Sequence, residues 1–347
     1  MEYTTLGDSG LEVSRVTVGC MSWGDGGQSR PWTKDEAFAE ETIKAALDAG
    51  INFFDTANVY SAGTSEEYTG RSLWKHTDRE NVVLATKVFN RMRPGPNGAG
   101  LSARHLTRAL DASLRRLGLD SVDLYQVHAY DPLTPLEETL RTLDQFIRAG
   151  KIRYYGLSNF TGWQLTKAVH LARALNVAGP VTLQPQYSLL AREIEWEIVP
   201  ACLDAGLGLL PWSPLGGGWL SGKYRRDQRP TGDTRLGDDP NRGMEAYDRR
   251  GTERTWNVID AVQKVAEDRG VSMAEVALAW VTARPAVTST ILGARTMEQL
   301  EANLRSADLE LTAAETAALD AASHPQVVDY PYGELGEDQR SRTLPGG

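Results

Sequence analysis

Eight short runs that are apolar on both faces recur along the chain, with helical patterns between them: VSRVTVGC, INFFDTA, NVVLATKV, SVDLYQVH, YYGLSNF, VTLQPQY, GLLPWSP and TSTILGA. A strand whose two faces are both apolar must be covered on both, which is the condition of a parallel sheet wrapped in helices. That places the chain in the α/β class, as a closed (β/α)₈ barrel or an open doubly wound sheet. The count is eight, and no G-x-G-x-x-G follows the first run, where an open dinucleotide-binding sheet carries it. Both features favour the closed (β/α)₈ TIM barrel, read as a single domain over residues 1–347.

The intervening segments read as helices with recognisable ends. Thr33 and Glu36 have capping-box spacing before a stripe of Ala39, Ile43 and Ala46 that stops at Gly50. Leu106, Leu110, Leu114 and Leu117 stripe a second helix, ended by Gly118. Thr134, Pro135 and Glu137 open a third, striped by Leu136, Leu140, Leu143 and Ile147 and closed by Gly150. The capping-box spacing recurs at Thr161 with Gln164, Ser272 with Glu275 and Thr296 with Gln299. Two stretches break the repeat: a Pro/Gly loop at 91–100 and a Gly/Arg/Asp-rich insertion at 216–253. Both follow strands, so in a barrel both lie on the face that carries active sites. The tail, 324–347, is polar and expected to be irregular.

Charge and composition exclude several functions. The net charge of −9 comes with no Lys/Arg stripe, which argues against a nucleic-acid or anionic-membrane partner. Cys20 and Cys202 make neither a disulfide framework nor a metal cluster and read as buried thiols. No apolar stretch reaches membrane-spanning length, and the first residues have no leader pattern, so a cytoplasmic location is expected. The partner expected is a small molecule, with no metal.

In a barrel, chemistry belongs where strands end. Asp55 ends the second run, Lys87 the third and His128 the fourth, and Tyr60 follows the second. Each alone has an ordinary explanation, such as a helix cap, a solvated cation or a packed ring. Together they would converge on one mouth. A free tyrosine titrates at about 10, too weak an acid near neutrality, and a nearby ammonium lowers that value. Lys87 can serve only if it stays charged, and Asp55 would keep it so. His128 could orient a substrate oxygen. Such a set protonates a developing alkoxide while another group delivers hydride.

INFFDTANVY, LATKV, DLYQVH, GLSNF and ILGARTMEQLEANL, in this order, resemble the signatures of the aldo-keto reductase superfamily, in its bacterial form. The resemblance runs from LEVSRVTVGC to about Leu304. It implies a catalytic tetrad of Asp55, Tyr60, Lys87 and His128, and a nicotinamide cofactor. By the same resemblance Gly19, Met21 and Asp55 border the cofactor, Ser158, Asn159 and Gln184 hold its carboxamide, and Trp212 stacks on its ring. Ser213, Pro214, Leu215, Gly216, Gly218 and Lys223 would form the pyrophosphate loop. Gly293, Arg295, Thr296, Gln299 and Asn303 would surround the adenosine 2′-phosphate and adenine. Gly293 and Gln299 stand where the best-known animal members carry Lys and Arg, so Arg295 is the main charge left for a 2′-phosphate. NADP(H) is preferred, with NAD(H) left open. Trp23, Trp32, Phe89 and Tyr130 are the expected substrate-pocket residues, suited to an apolar or aromatic carbonyl or a sugar face.

The function implied is reduction of aldehydes and ketones, or oxidation of the matching alcohols or sugars. The alternative is a cofactor-binding regulatory subunit like the potassium-channel β subunits, which share fold and tetrad; the acidic composition and the lack of an evident N-terminal inactivating segment favour the enzyme. A non-reductase barrel such as an isomerase leaves GARTMEQLEAN and Trp212 unexplained.

Overall fold

In the computed structural model, which describes residues 1–25, 32–231, 236–237, 239, 243–327, 329–334 and 336, strands and helices alternate as the pattern requires. The chain opens with β1 (Tyr3–Thr5) and β2 (Glu12–Ser14), then runs β3 (Val16–Gly19), α1 (Glu36–Asp48), β4 (Phe53–Asp55), α2 (Thr64–His76) and β5 (Val83–Val88). It continues through α3 (Ala103–Leu117), β6 (Val122–Val127), α4 (Leu136–Arg148), β7 (Ile152–Ser158), α5 (Gly162–Leu175), β8 (Thr182–Gln184), α6 (Ile198–Ala205) and β9 (Gly208–Leu209). The last part carries α7 (Tyr247–Arg250), α8 (Glu253–Arg269), α9 (Met273–Thr282), β10 (Thr290–Leu292), α10 (Met297–Arg305) and α11 (Ala313–Ser323).

Strands β3 to β10 are the eight expected, all parallel to their neighbours, and β10 pairs with β3. The remaining seam, between β9 and β10, is closed by Leu209 N–H to Ala286 O at 2.8 Å, Thr288 N–H to Leu209 O at 2.9 Å and Ile291 N–H to Pro211 O at 3.0 Å. The sheet is therefore a closed (β/α)₈ barrel. Arg15 fastens the same region by donating to the carbonyls of Val287, Thr288 and Thr282 at 2.7, 3.1 and 2.5 Å.

The first expected run is two elements. Glu12–Ser14 leaves the barrel and pairs antiparallel with Tyr3–Thr5, and the barrel strand begins only at Val16. The break falls at Arg15, whose side chain is committed to the seam. Leu6 and Val13 of this hairpin plug the N-terminal end of the barrel against Phe53, Val83, Leu124 and Leu210. The larger apolar core lies between strands and helices; in α3 it takes Leu106, Leu110, Leu114 and Leu117. Each such leucine contributes about 1.5–3 kcal/mol by leaving water.

Of the five helix starts read from the sequence, two form as expected. The boxes at Thr161/Gln164 and Ser272/Glu275 form. The N-cap of α1 is Asp35, which accepts from Phe38 N–H, and not Thr33. Helix α4 starts at Pro135 with no side-chain cap, so Thr134 does not cap it; its hydroxyl donates to Asp131 instead. At α10 only half a box forms: Thr296 accepts from Gln299 N–H, while the Gln299 side chain accepts from Arg295 N–H. Among the described residues no helix is long and apolar enough to cross a membrane, and no group of three or more His, Cys, Asp or Glu could hold a metal.

Candidate active site

The alternation of a strand places the site. Phe53, Ala85 and Leu124 point into the barrel as part of its apolar floor. Two residues further along each strand the same inward face is reached again, and there stand Asp55, Lys87 and Gln126. Polar side chains thus form a layer directly above the apolar floor, at the C-terminal end of the barrel.

Asp55 and Lys87 are almost wholly buried and form an ion pair, Lys87 Nζ donating to Asp55 Oδ2. The ammonium also donates to Thr56 O at 2.8 Å and to the Tyr60 hydroxyl at 3.2 Å. Burial alone would push the Lys87 ammonium down, but the Asp55 carboxylate and Tyr60 outweigh it and hold it above its usual range. The other Asp55 oxygen accepts from Gln126 Nε2 at 2.9 Å and Gln184 Nε2 at 3.0 Å. Tyr60 meets the His128 ring edge-on, centroids 5.9 Å apart, and His128 Nδ1 lies 3.3 Å from Asn90 Nδ2. The ammonium therefore meets the phenol at its oxygen. Cys20 is buried close by, and burial pushes its thiol up; Cys202, also buried, is pushed up to about 12.

These groups open into a cleft of about 1060 Å³. Asp55, Tyr60 and His128 line it, with Gly19 and Met21 beside them, and Lys87 lies just beneath. Ser158, Asn159, Gln184 and Trp212 line its wall as one bonded group. Trp212 Nε1 donates to Asn159 Oδ1 at 3.2 Å, Asn159 Nδ2 to His128 O at 2.9 Å, and Ser158 Oγ to Gln184 O at 2.8 Å. Asn159 can do this because it sits at φ 57°, a left-handed conformation that asparagine tolerates better than most residues.

Ser213, Pro214, Leu215, Gly218 and Lys223 continue the lining; Gly216 lies in the same turn but does not face the cleft. That turn, Gly216–Ser221, is tight: Gly216, Gly217 and Gly218 all have positive φ, and Gly217 N–H donates to Ser213 Oγ at 3.2 Å. At the far end Gly293, Arg295, Thr296, Gln299 and Asn303 surround the N-terminus of α10. A helix N-terminus with adjacent cations is a place for an anion. Lys223 and Arg295 are close enough for the Arg295 charge to push the Lys223 ammonium down.

Of the four expected substrate residues only Trp32 lines the cleft. Trp23 is buried in the main core, Phe89 packs against that core, and Tyr130 stands edge-on to Phe160 and Trp163. All three lie next to active-site loops, but their rings are used for packing under those loops. The cleft recruits others instead, among them Val59, Asn90, Tyr224, Met244 and Glu298. Val59 and Asn90 adjoin Tyr60 and Phe89 in the chain and could have been found by proximity. Met244, 47% exposed, comes from the distal half of the insertion, where the pattern carries no such signal. Residues 232–235, 238 and 240–242 of that insertion, and 328, 335 and 337–347 of the tail, lie outside the described residues.

Residues 15–324 match the sequence pattern of the aldo/keto reductase family. The chain is 39% identical, over 90% of its length and 92% of the other, to the uncharacterised oxidoreductase YrpG of Bacillus subtilis (strain 168). It is 36% identical to a probable voltage-gated potassium channel subunit beta of Oryza sativa subsp. japonica, covering 89% of this chain and 92% of that one. It is 35% identical to versiconal hemiacetal acetate reductase of Aspergillus parasiticus, covering 94% and 98%.

Proposed function

The chain belongs to the aldo/keto reductase family, and on that premise we propose that it interconverts aldehydes or ketones and the corresponding alcohols or sugars. In this reading NADP(H) is the hydride carrier and Tyr60 the general acid. The observation that carries it is the 3.2 Å contact between Lys87 Nζ and the Tyr60 hydroxyl at the floor of a 1060 Å³ cleft. The residues present fit a dinucleotide. Trp212 and the Ser158–Asn159–Gln184 group line one stretch, and Lys223, Arg295 and the α10 N-terminus line another.

When bound, the reduced nicotinamide supplies a hydride to the carbonyl carbon. Tyr60 then gives its hydroxyl proton to the carbonyl oxygen, so the products are an alcohol and the oxidised nucleotide. Lys87 stabilises the phenolate left behind, and Asp55 keeps Lys87 charged. His128, fixed edge-on to Tyr60, orients the carbonyl oxygen toward the phenol. Because Gln184 donates its side-chain nitrogen to Asp55, its side-chain oxygen points away from Asp55, where it can accept from the carboxamide. Arg295 is the residue chosen for the 2′-phosphate and Lys223 for the pyrophosphate.

A panel of aromatic and aliphatic aldehydes, ketones and sugars, each run with NADPH and NADH and followed at the reduced-nicotinamide absorbance, tests this. Turnover with a preference for NADPH supports the proposal; no turnover with either nucleotide would reject it. The second reading, a cofactor-binding regulatory subunit, draws on the similarity to the rice potassium channel subunit beta. Binding of nucleotide without turnover of any aldehyde would favour it.

A further inference from the structure

Gln126 is wholly buried in the barrel interior, in register with Lys87 on one side and Gly156 on the other. It does not line the cleft. Its Nε2 donates to Asp55 Oδ1 at 2.9 Å. A carboxylate only accepts, so the amide must keep its nitrogen toward Asp55 and its oxygen away. That oxygen has no hydrogen-bond partner among the described residues. A buried amide with an orphaned oxygen costs stability that an apolar side chain of similar volume would not. Packing alone therefore does not account for glutamine here; the bond to Asp55 does.

We infer that Gln126 is a positioning residue: by holding one oxygen of Asp55 it fixes the other on Lys87, and so aims the ammonium at the Tyr60 hydroxyl before any cofactor is bound. The inference rests on the roles proposed above for Tyr60 and Lys87. Gln184 makes the matching bond to Asp55, at 3.0 Å, but it faces the cleft and must also answer to a ligand. Gln126 is out of a ligand's reach, so its hold on Asp55 persists through the cycle. The titratable groups facing this cluster are Lys87 from β5, Tyr60 from the loop after β4, Cys20 after β3 and, across the Tyr60 ring, His128 after β6. Strands β7 and β8 bring Ser158 and Gln184, which do not titrate in the working range.

Two variants test it, Q126L and Q126E, each assayed with NADPH and an aromatic aldehyde that the wild-type chain turns over. Q126L removes the donor. Q126E puts a second carboxyl against Asp55, and two carboxyls that close share a proton. At low pH the introduced carboxyl is protonated and donates as the amide did; once ionised it adds negative charge beneath Lys87.

Q126L should bind NADPH with unchanged affinity, keep its KM and lose about 10- to 100-fold in kcat, because the loss is one of alignment. Q126E should approach wild-type turnover at low pH and show a descending limb, as pH rises, that the wild type lacks. Equal, pH-independent losses in both variants would mean packing only and overturn the inference, as would Q126L retaining kcat within twofold. If Q126L does not fold, the pH profile of Q126E decides alone.

A readout independent of catalysis separates this inference from the proposed function. In a crystal structure of cofactor-free Q126L the Asp55 carboxylate should turn from its wild-type orientation and the Lys87 ammonium should leave the Tyr60 hydroxyl, which it meets at 3.2 Å in the native cluster. An unmoved cluster overturns the positioning role even in a chain with no detectable turnover.

Discussion

The Lys87 ammonium stands 3.2 Å from the Tyr60 hydroxyl and 4.9 Å from the centre of the Tyr60 ring, so one cation meets the phenol both at its oxygen and over its face. The two contacts fix the ring as well as the proton. Lys87 is in turn fixed by Asp55 and the Thr56 carbonyl, and no part of the ammonium depends on water for a partner.

Replacing Tyr60 with Phe keeps the ring over Lys87 and removes the proton. Tyr60→Phe is expected to lower kcat by about 10²–10⁴-fold with dinucleotide affinity unchanged, as for loss of a general acid. A loss below tenfold would reject the assignment. Lys87→Met should damage turnover comparably. It also leaves the Asp55 carboxylate buried without its cation, which costs about 3–5 kcal/mol, so chemical denaturation has to be followed beside activity.

Arg295 is proposed to meet a phosphate that NADH lacks. Arg295→Ala should therefore weaken NADPH by about one to two decades, the worth of a charge-assisted hydrogen bond of about 1.5–3 kcal/mol, and leave NADH where it was. Isothermal titration with both nucleotides reads this directly, and equal weakening of the two would move the 2′-phosphate elsewhere.

Lys223 reaches solvent at the edge of the cleft, yet burial of part of its length pushes its ammonium below the ordinary lysine range, and repulsion from Arg295 adds to this. The ammonium is fully charged below that lowered value and discharges as pH rises through it. Affinity for a dinucleotide should accordingly fall on the alkaline side, starting below the usual lysine value of about 10.4. Tryptophan-fluorescence titrations of NADPH from neutral to alkaline pH should show the decline in wild type and not in Lys223→Arg, which keeps its charge. A wild-type affinity that stays flat would remove Lys223 from the anion site.

Gly156 makes room for the polar layer. A methyl group there would fall 2.0 Å from Thr182 Oγ1 and 3.3 Å from Gln126 Oε1. Gly156→Ala should destabilise the fold by about 1–3 kcal/mol, the usual cost of overpacking, measured by urea unfolding. Adding Thr182→Ala removes the nearer obstacle and should restore part of the loss. Additive losses would mean that the strain lies elsewhere.

Much of this architecture is written in local pattern. Strands buried on both faces, and the leucine stripe of α3, are each decided by a few residues in sequence. Asp55, Lys87 and His128 could be found because a barrel gathers strand ends at one mouth. What escaped the pattern depends on partners far along the chain. Arg15 divides an apolar run because Thr282, Val287 and Thr288 need its guanidinium. Trp23 and Trp32 look alike in sequence, yet one is core and the other lines the cleft. Gln126 stood in DLYQVH as one polar residue in a buried strand, and only the inward period of β4, β5 and β6 sets it beside Asp55. Asp35 took the cap from Thr33 because the helix begins two residues later than the spacing suggests, and a short acidic side chain then meets the free N–H of Phe38.

The seam of the barrel also dictates when the molecule can be finished. Thr17 on β3 and Ser289 beside β10 share a hydrogen bond of 2.6 Å across 272 residues of chain. On the ribosome β3 is the first barrel strand to emerge and its second neighbour, β10, is the last. Through nearly all of translation the nascent sheet grows with two raw edges, each a row of unpaired N–H and C=O groups able to capture a stray strand. The four proposed catalytic residues have all left the exit tunnel long before then, but the ring that holds them in register is completed only after Leu292. A chain halted between His128 and Thr290 would carry all four proposed catalytic side chains on an open, association-prone sheet.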